Sequence, residues 1–184
     1  PFAKHIIPML MAAFLLSPSL LIARTGKGLK HAYRNSFDVG VGLNLRNVTV
    51  KGQRDLIVAN FSTATAENAM KPASVQPREG VFTWEAADSI ANFCRRNGLK
   101  MRGHCLCWHN QFADWMCVDS MGNPVSKEVF YERLRTHMHA VVSRYKDVVY
   151  AWDVVNEAIA DGPDTISCPY RITPHYRLCG DEFI

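Results

Sequence analysis

Two glutamates in this 184-residue sequence each follow a short apolar run and each has an amide beside it: Asn68 after Glu67, and Asn156 before Glu157. Lys71 lies just past the first pair, and a third apolar run ends near His104 and Trp108. Flat aromatic faces cover pyranose rings, while carboxylates, amides and an ammonium exchange hydrogen bonds with hydroxyls, so this set of side chains suits a sugar. Glycoside hydrolysis needs one carboxylic acid to protonate the leaving oxygen and a second carboxylate across the bond. A carboxyl delivered by a strand as apolar as VVYAWDVVNEA is expected to be partly desolvated, which favours its protonated form and its use as a general acid. Taken singly, Glu157 reads equally well as an acid satisfying backbone N–H groups at a helix start. The company of the other residues favours the chemical role.

The elements that must position these groups follow a repeating pattern. Residues 37–43 read as a strand ending at Asn44, residues 51–60 as a helix, and 61–66 as a second strand leading into Glu67-Asn68. A helix is expected over 84–97, with Ala86, Ile90, Phe93 and Cys94 on one face, Thr83 as its cap and Asn97-Gly98 as its stop. The third strand, 99–106, runs into His104 and Trp108. The longest helix, 127–145, carries Phe130, Leu134, His137, Met138, Val141 and Tyr145 at helical spacing. The fourth strand, 148–155, delivers Asn156-Glu157, and a Pro-rich loop spans 161–174. Strands alternating with helices imply a parallel α/β sheet, and such sheets gather their functional groups at the C-terminal strand ends. Glu67, Asn68, Lys71, His104, Trp108, Asn156 and Glu157 are thus expected on one rim.

The segments TAENAMKP (65–72), GHCLCWHNQFADW (103–115) and AWDVVNEAIADG (151–162), in this order and with QPREGVFTWEAAD and RYKDVVY between them, resemble glycoside hydrolase family 10, the endo-1,4-β-xylanases. The resemblance covers residues 37–184. It implies a TIM (β/α)8 barrel, of which this chain supplies about the first four β/α units, and a retaining mechanism on β-1,4-xylan or xylo-oligosaccharides. On the same basis Glu157 is the general acid/base and Asn156 holds the 2-hydroxyl of the sugar being cleaved. Glu67, Asn68 and Lys71 line the glycone side, His104 and Trp108 shape the subsite at the scissile bond, and Gln111 contacts the next sugar. No metal or organic cofactor is implied. The family's nucleophile is a second Glu at the end of strand seven, and this sequence runs only just past strand four. The expectation is therefore an enzyme in the parent protein and little or no activity in these residues alone. Two rival readings keep the fold: a non-catalytic carbohydrate-binding half barrel, and a related β-glucanase. Glu67-Asn68-x-x-Lys71 with the WHNQ run favours xylan over glucan.

Composition is that of a globular chain, 48% hydrophobic and 21% charged, and the net charge of +4 gives no electrostatic footprint for nucleic acid. Residue 1 is Pro and the last residues open an amphipathic segment, so the sequence reads as a piece of something longer. The apolar run 6–16, behind Lys4 and His5 and ahead of Ser17-Pro18-Ser19, is too short for the ~20 residues of a membrane helix and fits a signal peptide over 1–23. Residues 24–184 are then the barrel half, in a secreted or extracytoplasmic protein. Six cysteines fit export, with Cys168 and Cys179 the expected pair and Cys94 a buried free thiol. A zinc reading of Cys105, Cys107 and His104 fails on strand alternation, which turns both thiols away from His104, Leu106 and Trp108. His137 is expected to pack inside and His139 to face solvent; Trp84 and Trp152 read as core, and Trp115 as either core or rim.

Overall fold

The computed structural model of the chain describes residues 28–161 and 169–184. The segment read as a signal peptide, 1–23, lies outside them. A short helix α1 (Leu29–Ala32) precedes β1 (Gly40–Leu43), α2 (Leu45–Thr49), α3 (Lys51–Asn60), β2 (Thr63–Ala66), α4 (Pro72–Val75), α5 (Glu85–Asn97) and β3 (Lys100–Cys107). Then come α6 (Lys127–Tyr145), β4 (Val149–Val155) and α7 (Pro174–Cys179). The four strands lie side by side in chain order, all parallel, as helical crossovers between them require.

The helices form where the apolar spacing asks for them, and their ends explain the differences from the sequence reading. Helix α5 stops at Gly98, whose φ of +66° is a left-handed C-cap that suits glycine. Its start differs from expectation. The Thr83 hydroxyl donates to the Ser74 carbonyl at 2.5 Å instead of capping, and Glu85 and Asp88 place negative charge in the first turn. Helix α6 runs over the expected span, with the Ser126 hydroxyl accepting from Val129 N. The first strand is shorter than 37–43, because Phe37 is exposed and pairing with β2 begins only at Gly40. At the end of the Pro-rich loop a further helix, α7, begins: Thr173 caps it by accepting from Tyr176 N at 3.1 Å, and Pro174 occupies its first turn.

One core lies between the sheet and the inner stripes of α5 and α6, built from Leu43, Ala64, Ile90, Met101, Val141 and Tyr145. A second, nearer the strand C-termini, gathers Cys107, Met116, Cys117, Phe130, Leu134, Cys179 and Phe183. Trp84 and Trp152 pack against the first, and Trp115 packs against the second, its indole N–H donating to the Gln76 carbonyl at 2.9 Å. His137 is fully buried on α6 with Nδ1 at 2.9 Å from Gln76 Oε1, while His139 faces out. Cys94 is buried, and Cys179 is a free thiol; its expected partner Cys168 lies outside the described residues. Among the described residues no helix is long and apolar enough to cross a membrane.

The alternation assumed along the third strand does not hold to its end. Leu106 joins Leu134, Met138 and Val142 in a groove on the α6 side, whereas His104 pairs across the sheet with Asp153. The register between β3 and β4 shifts between His104 and Cys107, and such an irregularity resets which face each following side chain takes. Cys105 and Cys107 are both fully buried.

Candidate active site

Each strand end delivers its side chains through a local turn. After β2, the Glu67 amide donates to the Leu43 carbonyl at 2.9 Å, tying the first two strand ends together. The chain then turns so that Lys71, only 6% exposed, places Nζ 2.8 Å from Asn68 Oδ1. The same ammonium lies 4.4 Å from the centroid of the Trp108 ring, a cation–π contact that fixes the indole plane. After β3, the loop turns at Gln111, whose φ is +50° and whose carbonyl accepts from Ala73 N at 2.9 Å. After β4, the Asn156 amide donates to the Cys107 carbonyl at 2.8 Å, and Glu157 takes a φ of +53°. A left-handed turn at the strand end swings the Glu157 side chain across towards β3.

There its Oε2 accepts from the Trp108 indole N–H at 2.8 Å and lies 3.8 Å from His109 Nε2. His104 sits beside the same indole, with ring centroids 5.9 Å apart, and its Nδ1 is 3.0 Å from Asp153 Oδ2. Asp153 also accepts from Arg102 Nε at 2.9 Å. Burial works against the Asp153 carboxylate, but the hydrogen bonds from Arg102 and His104 outweigh it and hold the carboxyl below its ordinary range. Burial, with the Arg171 guanidinium adding to it, lowers the pKa of His109.

The structure thus joins Asn68, Lys71, Trp108 and Glu157 into one chain of contacts, with His104 and Asn156 flanking it. Glu67 and Gln111 sit exposed on the same rim, and among the described residues neither side chain is hydrogen-bonded to Glu157. The expected desolvation of Glu157 is not met within the described residues. Its side chain is 50% exposed, because the positive-φ turn carries it off the apolar strand and out over the rim.

Sequence reasoning missed Arg102, Asp153 and His109. Asp153 was legible in principle, as a carboxyl inside the apolar run 148–155, where an acid needs a partner. His109 entered only as part of the WHNQ run. Among the described residues no group of three or more His, Cys, Asp or Glu is placed to hold a metal ion. The thiols of Cys105 and Cys107 are pushed up to about 12, mainly by burial, which disfavours the thiolate a metal would need.

Residues 28–184 match the sequence profile of Glycosyl hydrolase family 10. The chain belongs to that family. Among its curated relatives, an endo-1,4-beta-xylanase/feruloyl esterase of Xylanibacter ruminicola is 58% identical over 168 residues, covering 86% of this chain and 23% of that protein. The endo-1,4-beta-xylanase B of Paenibacillus barcinonensis is 44% identical over 156 residues, covering 85% of this chain and 46% of that protein. A solved psychrophilic glycoside hydrolase family 10 endo-beta-1,4-xylanase superposes with a TM-score of 0.83 at 51% identity, over 85% of this chain and 48% of that one. The chain therefore spans less than half the length of each of these proteins. The family 10 fold is a TIM (β/α)8 barrel, and the four parallel strands described above are four of its β/α units.

Proposed function

We propose that this chain carries the acid/base side of the active site of a secreted retaining endo-1,4-β-xylanase. The observation that carries the reading is the Trp108–Glu157 contact at a family 10 strand rim, with Lys71 and Asn68 packed behind the indole. A carboxyl held by one N–H on one oxygen keeps its other oxygen free to give a proton to a leaving glycosidic oxygen and to take one back from water. Asn156, next to it on the same strand end, is placed to hold a sugar hydroxyl, and His104, kept in orientation by Asp153, shapes the subsite beside it. Glu67, Asn68 and Lys71 bind the glycone, and Gln111 the adjoining sugar. The names of the relatives support xylan as the substrate, and the apolar run at 6–16 supports export.

A retaining reaction also needs a nucleophilic carboxylate ~5 Å from the acid/base. Glu67, assigned to substrate hydroxyls, does not fill that role, so turnover requires a carboxylate from a later strand of the barrel. The test is release of reducing sugar from xylan and from mixed-linkage β-glucan by the full-length protein and its Glu157→Gln variant. Preference for xylan and a loss of ~10²- to 10⁴-fold in the variant are expected. Undiminished xylan hydrolysis by the variant would overturn the assignment. Preference for glucan would favour the glucanase reading, and binding without turnover the carbohydrate-binding one.

A further inference from the structure

Behind the Trp108–Glu157 contact lies a cavity of about 300 Å³, walled by His109, Phe112, Asp114, Cys117, Val118 and His175. Two of these groups pose a hydrogen-bonding problem. His109 Nδ1 and His175 Nδ1 are both buried, and neither has a partner among the described residues. An unpaired buried ring nitrogen costs roughly 1–3 kcal/mol, so such atoms are normally satisfied by a neighbour or an ordered water. His175 is 2% exposed and boxed by the rings of Phe112, Phe130 and Phe183 at 5.3, 6.3 and 4.8 Å, so its imidazole has little freedom to turn elsewhere.

The other face of His109 fixes which of its nitrogens carries the proton. Its Nε2 lies 3.1 Å from the amide nitrogen of Asn110, which can only donate. Nε2 is therefore the acceptor and the proton sits on Nδ1, towards the cavity. A neutral His175 with its own proton on Nε2 offers the matching lone pair at Nδ1. The remaining gap suits water, of which a cavity this size holds several.

We propose that His109 and His175 form a water-bridged pair of neutral imidazoles, in which His175 is a positioning residue that keeps the proton of His109 on Nδ1 and its Nε2 lone pair on the Asn110 amide, so that no N–H of the ring is aimed at Glu157. The charges around the pair are compatible with neutrality. His175 faces His109 and, across the cavity, Asp114 and Cys117; His109 also faces Arg171, Asp161 and Glu157. Burial first, and the neighbouring imidazole second, push the pKa of His175 down to about 4. Without His175 the Nδ1–H of His109 loses the acceptor across the cavity, and the proton is better placed on Nε2, pointing at the Glu157 carboxylate 3.8 Å away.

The pair is read from its own geometry, but its value to catalysis rests on the acid/base reading of Glu157. The test therefore uses a readout independent of turnover. Histidine-selective ¹⁵N NMR on the full-length protein, assigned with His109→Gln, reports which ring nitrogen is protonated. The wild-type protein is expected to show His109 as the Nδ1–H tautomer. His175→Phe, which matches its aromatic box, is expected to move it towards Nε2–H. His175→Asn, whose amide stands where Nδ1 was, is expected to restore Nδ1–H and carries the test if the Phe variant fails to fold. A His109 already protonated on Nε2 in the wild-type protein overturns the proposal, as does a tautomer identical in all three. A changed tautomer together with full activity of Glu157→Gln would leave the pair standing and sink the acid/base assignment instead.

Discussion

The indole N–H of Trp108 donates to Glu157 Oε2 at 2.8 Å while the Lys71 ammonium rests 4.4 Å from the centroid of the same ring. One side chain thereby links the rim of β2 to the carboxyl at the end of β4. The two roles are separable, since Phe keeps a ring face for Lys71 but has no N–H. Trp108→Phe is expected to fold normally and to lose ~10- to 100-fold in kcat/KM on xylan, the worth of one hydrogen bond to a carboxylate. Unchanged kcat/KM would show that the indole acts by shape alone.

Gly103 is where the third strand lets Trp152 of the fourth lie flat against it. A Cβ built there would stand 2.2 Å from Trp152 Cε3 and 2.4 Å from Cδ2. Neither the bulky ring nor the paired strand can yield that much, so Gly103→Ala is expected to destabilise the fold by at least ~3 kcal/mol. Urea unfolding measures this directly. A midpoint within error of the wild-type value would mean that β3 and β4 slide apart without cost.

The sequence made the rim legible because strand and helix alternate at periods of 2 and 3.6, and parallel strands must end on the same side. Helices α3 and α6 fall on their expected spans for that reason. What it hid depends on single backbone torsions and on strand irregularity. No periodicity announces the +53° φ of Glu157, which turns the carboxyl towards Trp108 and leaves it half exposed. The register shift between His104 and Cys107 likewise sends Leu106 to the α6 side against simple alternation. The Arg102–Asp153–His104 chain joins two paired strands that lie far apart in sequence, and the cavity shared by His109 and His175 joins the loop after β3 to α7, so only the folded chain brings these groups together.

Burial rather than pairing protects the thiols. Cys94, Cys105, Cys107 and Cys117 are free and buried, with their pKa values pushed up to about 12 mainly by loss of solvent. An aromatic disulfide reagent at about pH 8 is expected to leave these four unmodified in the native protein and to react with all four in denaturant. Fast labelling of any of them before unfolding would mean that the cores open on that timescale.

Acid should unfold the chain through its buried imidazoles. Burial lowers the pKa of His137 from 6.5 to about 4, because the cation loses its solvation in the core; Nδ1 lies 2.9 Å from Gln76 Oε1. Between those two values the unfolded chain binds more protons than the folded one, so stability rises with pH through the window and is lost as pH falls. His175 shifts in the same direction and to about the same value. Each imidazole is expected to cost about 2 kcal/mol of stability between pH 7 and pH 5. His137→Met removes one titrating group. It lowers stability at neutral pH by stranding the Gln76 oxygen, yet it should flatten the pH dependence by about 2 kcal/mol over the same interval. Urea midpoints for the wild-type protein and the variant at both pH values measure this difference, and an equal acid loss in both would show that His137 is already protonated in the fold.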